Sequence, residues 1–357
     1  MTDPRQLVVQ AHEEFLVHLS RTHAAYLRLH GPPPDPGRSM LVTGASGVVG
    51  AELMERARRR GWDAVGCSAG GGNASVAWPM GDTAPPPALR RPWSVIVHAA
   101  ARPRFDLPPE TARRANVRPL TALAPLMSSQ THLIHISTAY ATGWTGSIES
   151  TDLADYRNTY EYSKAEAERV ARSRYAPLTI VRPSIVVGRR SDGAVARLSG
   201  PYILPRVFAA GLVTDIAGDA SAFIDLVPVC DVAECVLDIA GTPPPPDVRV
   251  ETIGLGVNAP RLEEVVTLVT GAANRWLAER SAPALPRFEI VPVQERHRTS
   301  VLAPLLPYLT ITRPLPITRH IEPVTPLVET LVRWVLENDP ELARQHRAGV
   351  TPRGEST

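Results

Sequence analysis

The segment Leu41-Val-Thr-Gly44-Ala-Ser-Gly47-Val-Val-Gly50 decides the fold, because it joins a short apolar strand to a helix through three regularly spaced glycines. Glycines at this spacing allow a tight turn, a close approach of backbone to a pyrophosphate, and close packing of the helix on the strand. The N-terminus of the helix adds amides and a partial positive charge. Glycines also mark ordinary turns, but in this strand-to-helix context they predict a dinucleotide site.

Strands and helices alternate outward from this segment. We predict strands at 39–43, 63–68, 94–100, 132–138 and 178–182, and helices at 48–60, 109–129 and 158–173. This alternation indicates βαβ units and therefore an α/β fold with a Rossmann-like, doubly wound parallel sheet. The alternation loosens beyond residue 188, where strands are predicted at 248–254 and 288–293 and a helix at 322–338. We expect a smaller C-terminal substrate-binding region there.

Proline clusters and composition divide the chain into three predicted units. Residues 1–38 would form an amphipathic helix and a proline-rich linker, 39–188 the NADP-binding Rossmann domain, and 189–357 mainly the substrate-binding region, with returning sheet strands. The helix is indicated by apolar or small residues at helical spacing, namely Val8, Ala11, Phe15, Leu19, Thr22, Tyr26 and Leu29. Its apolar stripe could cover its own domain, or it could bind a carrier protein or form a homodimer.

The composition argues against several classes of protein. The 38 basic and 36 acidic residues are mixed along the 357-residue chain, without the basic stripe that nucleic-acid binding requires. Three cysteines without metal-ligand spacing suit a reducing compartment, and no metal site is expected. The sequence starts without a signal-peptide pattern and contains no run of 18 apolar residues. We therefore expect a cytoplasmic enzyme without a membrane span.

The only lysine in the sequence, Lys164, follows Tyr160 by four residues. On a helix the two side chains lie on one face. A nearby ammonium lowers the pKa of a phenol from about 10 towards the range in which it can act as an acid or base at neutral pH. We predict that they act together. Tyr162 is paired at the same spacing with Glu166, whose charge would oppose ionisation, so Tyr162 is not the candidate.

Two hydroxyl residues, Ser137 and Thr138, end the strand that precedes this helix. The carboxyl end of strands is where a ligand lies in an open parallel sheet, so a hydroxyl there can bind a substrate oxygen beside the tyrosine.

Cofactor choice is predicted from the end of the second strand, Gly66-Cys-Ser68-Ala-Gly70. An acidic residue at that position would hold the ribose 2′-hydroxyl and exclude a 2′-phosphate, and none occurs. Ser68 together with an arginine of the run 58–60 could meet a phosphate, which favours NADPH over NAD. The arginine run fits equally well as the solvated end of a helix.

These motifs together resemble the extended short-chain dehydrogenase/reductases. The resemblance covers about residues 39–235 and rests on Thr43-Gly-x-x-Gly-x-x-Gly50, His98-Ala-Ala-Ala101, Asn116-Val117, Ser137-Thr138-Ala-Tyr140, Tyr160-x-x-x-Lys164 and Arg182-Pro183-Ser184. Within that family the chain is most similar to the branch of fatty acyl-CoA reductases and carrier-protein thioester reductases. The arginine that often follows the second strand in NADPH-preferring relatives is replaced by Ser68-Ala69.

The resemblance implies roles for the matched residues. Thr138 would hold the reacting oxygen, Tyr160 would donate a proton to it, and Lys164 would bind the nicotinamide ribose and lower the pKa of Tyr160. Of the two neighbouring hydroxyl residues, Thr138 rather than Ser137 would contact the substrate. Asn116 would either order the active-site region or form hydrogen bonds with the backbone of its own helix. The implied cofactor-binding residues are Gly44, Ser46, Gly47, Val48, Ser68, Asp82 (near adenine), Ala99, Ala100, Tyr160, Lys164, Pro183 and Ile185.

The expected activity is hydride transfer from NADPH to an acyl thioester of CoA or of a carrier protein, or to the derived aldehyde. A ketone reductase, an alcohol dehydrogenase or a nucleotide-sugar epimerase would use the same threonine, tyrosine and lysine, so the fold leaves these alternatives open. A non-catalytic dinucleotide sensor would be expected to lack the tyrosine or the lysine, and both are present. The long C-terminal extension and the adenylation and carrier domains of some relatives are missing, which predicts a stand-alone enzyme.

Overall fold

The computed structural model of the protein describes residues 35–72, 75–196, 207, 215–300 and 302–339. The predicted N-terminal helix lies outside these residues. No helix in the described ranges is long and apolar enough to cross a membrane.

The centre of the fold is an eight-stranded sheet in which every pairing is parallel. Its strands are β1 (Asp35–Thr43), β2 (Trp62–Ser68), β3 (Val76–Ala77), β4 (Val95–His98), β5 (His132–Ile136), β6 (Leu178–Pro183), β10 (Arg249–Gly254) and β12 (Arg319–His320). Two small parallel pairs join β7 (Ile185–Val187) to β9 (Leu226–Pro228) and β8 (Asp215–Ala217) to β11 (Glu289–Val291). The predicted Rossmann-like α/β fold is confirmed.

The strand order fixes where a ligand can enter. The order is β12-β10-β6-β5-β4-β1-β2-β3, so β2 and β3 lie on one side of β1 and the strands from β4 onward lie on the other. This reversal opens a crevice at the carboxyl ends of β1 and β4, where Thr43 is paired with His98. In open α/β sheets such a crevice is the usual ligand site.

The helices cover both faces of the sheet. They are α1 (Val48–Arg59), α2 (Pro109–Asn116), α3 (Arg118–Thr121), α4 (Thr159–Arg174), α5 (Val229–Ala240), α6 (Leu262–Ala278) and α7 (Val328–Asn338). The prediction of one helix over 109–129 is wrong, because the chain forms separate short helices there, with Pro119 and Pro125 each in the first turn of a new one. Proline lacks the amide that an inner helical turn needs.

Three groups of buried side chains form the core. One face of the sheet packs against α1 and α5 through residues such as Leu53 and Val236, and the other packs against α3 and α4 through residues such as Leu120 and Ala171. A separate core is built from α6 and α7 together with β7, β8 and β9. The helices α6 and α7 and the small strand pairs therefore bury much of their apolar surface among themselves.

Gly50 is required by the contact between α1 and the turn after β1, and its replacement should be costly. A Cβ at this position would lie 2.1 Å from the carbonyl oxygen of Gly44, which is backbone and has no rotamer to change. We expect Gly50→Ala to lower the free energy of unfolding by about 1–3 kcal/mol or more, measured by urea unfolding.

Gly271 provides the matched control for that substitution. It lies inside α6, and its nearest neighbour would be an arginine side-chain nitrogen at 3.6 Å. Gly271→Ala should raise the free energy of unfolding by about 0.5–1 kcal/mol, because alanine is the better helix former. Equal effects of the two substitutions would contradict the described turn.

Candidate active site

The turn between β1 and α1 has the features of an anion cradle. Gly44 has φ +69°, and a Cβ there would lie 2.7 Å from the amide nitrogen of Ala100, so the backbones of the β1 and β4 ends touch. The amide of Gly47 donates to the carbonyl oxygen of Gly44 at 2.8 Å, and α1 begins directly afterwards without a side-chain cap. The first amides of α1 remain available to an anion, and this donor set fits the pyrophosphate of a dinucleotide.

A cavity of about 360 Å³ runs from this turn past the ends of β5 and β6 into the C-terminal region. It brings together the predicted site residues Gly47, Val48, Ala99, Thr138, Tyr160, Pro183 and Ile185. Thr138 adopts an extended conformation at the start of a short 3-10 helix, and its Oγ1 accepts a hydrogen bond from the amide of Tyr140 at 3.4 Å. Its hydroxyl hydrogen is therefore not committed to that contact.

The remaining predicted residues lie outside the cavity wall. Gly44 and Ala100 form the backbone contact beneath the turn, and Ser46 is exposed on the turn itself. Ser68 is buried, and its hydroxyl donates to the carbonyl oxygen of Gly71 at 3.1 Å. Asp82 follows β3 and forms an exposed ion pair with Arg118 at 3.3 Å.

Lys164 is buried directly beneath the site, with 1% of its surface exposed. Its Nζ donates to the carbonyl oxygen of Ile136 at 2.8 Å and lies 3.4 Å from Nε2 of His135. Burial lowers the pKa of Lys164 to about 8, while the charge of Glu168 opposes this shift. The His135 ring stacks on His98, with 5.5 Å between centroids, and burial together with the charge of Lys164 lowers the pKa of both imidazoles. The imidazole rings of His98 and His135 near Lys164 are therefore uncharged.

The pKa of Tyr160 lies above its usual value in this structure, although a lowering by Lys164 was expected. Burial, reinforced by the charge of Glu161, raises the pKa of Tyr160 to about 12. The ammonium of Lys164 is directed to the carbonyl oxygen of Ile136, and the phenol lines a largely apolar cavity. Desolvation disfavours the phenolate, which is the charged form of tyrosine.

Several polar residues at the cavity were not among the predicted site residues, including Ser137, Glu161 and Tyr308. Ser137 lines the cavity, and among the described residues its Oγ has no hydrogen-bond partner. Glu161 and Tyr308 also line it and are hydrogen-bonded to each other at 2.7 Å. The spacing of Asn158 and Glu161 is that of a helix-capping pair and could have predicted a fixed position for Glu161. Tyr308 lies in a segment without any recognisable pattern.

Asn116 connects the loop after β4 to the helix that carries Tyr160. Its Oδ1 accepts a hydrogen bond from the amide of Arg102 at 2.7 Å, and its Nδ2 donates to Oγ of Ser163 at 2.8 Å. Of the two alternatives, ordering of the active-site region describes these contacts, because neither partner belongs to the helix of Asn116.

Two of the three arginines that could meet a phosphate at the end of α1 form ion pairs with acidic side chains. Arg59 is paired with Glu55, and Arg60 is paired with Glu234 and Asp238 of α5. The ion pairs of Arg60 hold α1 against α5. The alternative of a solvated, ion-paired helix end therefore describes Arg59 and Arg60.

The central part of the chain matches a known protein family. Residues 88–236 match the family model described as "Male sterility protein", an NAD-binding domain. Human fatty acyl-CoA reductase 1 is 30% identical over 218 residues, which are 51% of this chain and 40% of that protein. The chain thus spans about two fifths of the length of this relative.

Solved structures extend the likeness over most of the fold. The terminal R domain from the myxalamid PKS-NRPS biosynthetic pathway is 20% identical, with a TM-score of 0.56 over 87% of this chain and 93% of that chain. UDP-glucose 4-epimerase from Thermotoga maritima, in a structure with UDP-glucose, is 14% identical, with a TM-score of 0.59 over 84% and 99%. At these identities the structures establish the fold only.

These matches confirm the resemblance on which the sequence analysis relied. The relatives matched by sequence include proteins named as reductases, which agrees with the predicted class of oxidoreductase. The matched segment of the male sterility family contains Thr138, Tyr160 and Lys164.

The burial of Lys164 predicts a pH-dependent stability. In the folded protein its pKa is about 8, whereas an unfolded lysine titrates at about 10.4. Between these values the unfolded chain binds more protons, so the free energy of unfolding should rise with pH, by up to ~3 kcal/mol. Lys164→Met should lack this rise. Urea unfolding of both proteins at about pH 7 and about pH 10 gives the difference, and the same pH dependence in both would contradict the burial of a charged lysine.

Proposed function

We propose that the protein is an NADPH-dependent reductase that transfers hydride to the carbonyl carbon of an acyl thioester or of the derived aldehyde. The thioester would be carried by CoA or by a carrier protein. The main support is the apolar cavity that continues from Tyr160 into the C-terminal core. The family of the matched segment and the fatty acyl-CoA reductases similar to it agree with this substrate class.

The far part of the cavity suits an acyl chain. Its wall there is formed by aliphatic side chains of α6, of the segment before α7 and of α7 itself, namely Val265, Val269, Leu305, Leu309, Val328, Leu331 and Val332. Each methylene transferred from water to such a surface gains about 0.8 kcal/mol. A nucleotide sugar would instead need polar partners for its hydroxyls and phosphates. Glu161 is the one charged side chain of the described cavity wall, and both its oxygens bind protein groups.

Thr138 and Tyr160 would stabilise the charge that develops on the carbonyl oxygen. When bound, the nicotinamide supplies the hydride. The two hydroxyls line the cavity and can donate to the same oxygen, which is the way an oxyanion is stabilised in a site that excludes water. With a pKa of about 12, Tyr160 is protonated at neutral pH and can therefore give its proton to that oxygen.

The product of this step from a thioester is a thiohemiacetal. Its carbon–sulfur bond breaks as the carbonyl reforms, releasing an aldehyde and a thiol. The aldehyde can enter the same site as a second carbonyl substrate and accept another hydride and proton to give an alcohol. Lys164, protonated below a pKa of about 8, would keep positive charge beneath the proton donor during both steps.

The preference for NADPH is supported by the end of β2. No carboxylate follows this strand in the segment Cys67 to Gly72, so nothing there repels a 2′-phosphate or holds a 2′-hydroxyl. Among the described residues, no atom lies within 4 Å of a Cβ built at Gly70 or Gly72, and an open surface of this kind after β2 agrees with a bound phosphate.

The decisive experiment is a substrate panel followed by NADPH absorbance. We expect oxidation of NADPH with a long-chain acyl-CoA or acyl carrier protein and with the matching free aldehyde. With NADH the rate should be lower, because the site lacks the carboxylate that favours it. Turnover of a nucleotide sugar, without consumption of thioester or aldehyde, would refute the proposal in favour of an epimerase.

Tyr160→Phe tests the proton donor. We expect kcat to fall about 10²–10⁴-fold, the usual contribution of a general acid, while the Kd for NADPH changes little. Tyr162→Phe, two residues further along the same helix, is the control and should retain activity, because Tyr162 packs on Tyr156 and does not line the cavity. Loss of NADPH binding in Tyr160→Phe would assign that phenol a structural role.

A further inference from the structure

A buried polar network joins the start of α4, which carries Tyr160, to the C-terminal segment. Tyr308 donates its hydroxyl hydrogen to Oε1 of Glu161 at 2.7 Å and accepts a hydrogen bond from Nδ2 of Asn158 at 2.7 Å. Asn158 caps α4, because its Oδ1 accepts from the amide of Glu161 at 3.0 Å. Glu161 has no exposed surface, and 7% of Tyr308 is exposed.

The second oxygen of Glu161 is also engaged. It accepts hydrogen bonds from the amide and from Nη1 of Arg157, both at 3.2 Å. The Arg157 guanidinium lies 4.2 Å from the centroid of the Trp144 ring. A carboxylate without solvent is stable only when its oxygens have such partners. Glu161 therefore lines the cavity but binds protein groups instead of offering an unpaired charge to a ligand.

Tyr308 is part of one wall of the cavity. Its neighbours Leu305 and Leu309 both line the cavity. Its ring packs against Phe105 with 5.5 Å between centroids, and Phe105 packs in turn against Tyr160 at 6.1 Å. A shift of Tyr308 would therefore move the aliphatic wall and the ring beside the proton donor together.

We propose that Glu161 and Tyr308 are positioning residues that fix the C-terminal wall of the cavity relative to Tyr160. The inference rests on the proposed function in taking the cavity as the substrate site and Tyr160 as the proton donor. Because the carboxylate cannot be solvated, its hydrogen bond to Tyr308 permits few alternative arrangements. The helix α4, which carries the phenol of Tyr160, therefore also fixes the position of the cavity wall that contacts the substrate.

The charge of Glu161 adds a second, separable effect. It raises the pKa of Tyr160 beyond the effect of burial. The other charged or titratable groups facing this pair are Arg157 and Lys164 on the same segment, Tyr140 on the 3-10 helix, and Tyr308. Replacing the carboxylate by an amide removes a negative charge, so the phenol should ionise at lower pH.

Two variants with matched controls separate these effects. Tyr308→Phe keeps the ring and should raise KM for the carbonyl substrate about tenfold, the effect of a lost hydrogen bond to a charged group, without moving the alkaline limb of the kcat/KM profile. Glu161→Gln should lower the pH at which the phenol of Tyr160 ionises, followed as the tyrosinate absorbance that Tyr160→Phe removes, with a smaller rise in KM. Whichever carbonyl compound the enzyme reduces serves as the substrate, so the result does not depend on thioester turnover.

The controls lie on or next to the same helix. Tyr175→Phe removes another buried tyrosine hydroxyl, which donates to the carbonyl oxygen of Leu120 at 2.9 Å. Glu166→Gln removes another carboxylate paired with an arginine, Arg113. Neither residue lines the cavity, and neither control should change KM or the pH profile. A KM in Tyr308→Phe equal to that in Tyr175→Phe would overturn the proposal.

A double-mutant cycle tests the contact without any activity. Urea unfolding of the wild type, Glu161→Gln, Tyr308→Phe and the double variant should give a coupling of roughly tenfold in the unfolding equilibrium constant. Additive effects would refute the contact even if the enzyme reduces a thioester. Failure of every thioester and aldehyde, with the coupling intact, would refute the proposed function and leave the contact standing.

Discussion

The close approach of three backbone segments at the end of β1 is the constraint on which the site depends. Gly44 touches the backbone of Ala100 at the end of β4, and Gly50 brings α1 against the carbonyl oxygen of Gly44. Any side chain at either glycine would separate these segments. The same contact that closes the core therefore aims the first amides of α1 at the crevice between β1 and β4, where the cavity begins. The close backbone contact at Gly44 and Gly50 therefore both packs the core and positions the amides that would bind an anion.

Burial determines the protonation of the groups around the crevice. Lys164 and His135 lose solvent together, so the imidazole stays neutral and the ammonium holds its proton only up to a pKa of about 8. The phenol of Tyr160 is shifted in the opposite direction, because for tyrosine the charged form is the deprotonated one. Desolvation thus favours the protonated phenol beside a lysine that is charged at neutral pH. This combination suits proton donation to a carbonyl oxygen more than proton abstraction from an alcohol.

The sequence predicts those parts of the fold and site that depend on local patterns. The spacing of the glycines predicts the turn after β1, and the spacing of Tyr160 and Lys164 predicts that both lie on one face of a helix. The strand before Thr138 is likewise predicted by its own local sequence. The predicted helix over 109–129 ends at Asn116 in the structure, and Pro119 is the local signal in the sequence for that break. Tyr308 could not be predicted, because its partner Glu161 lies far away in the chain and the contact exists only after the C-terminal region folds against the sheet.

The position of the cavity between two cores explains how one fold serves different substrates. Its inner part is formed by strand ends and turns that have to stay fixed for the dinucleotide, and its outer part by α6, α7 and the segment around Leu305. The outer walls can change without disturbing the glycine turn, because they belong to a separate core. Here those walls are aliphatic, so the energetic gain comes from removing apolar surface from water. A substrate rich in hydroxyls would lose hydrogen bonds on entering, whereas an acyl chain loses none.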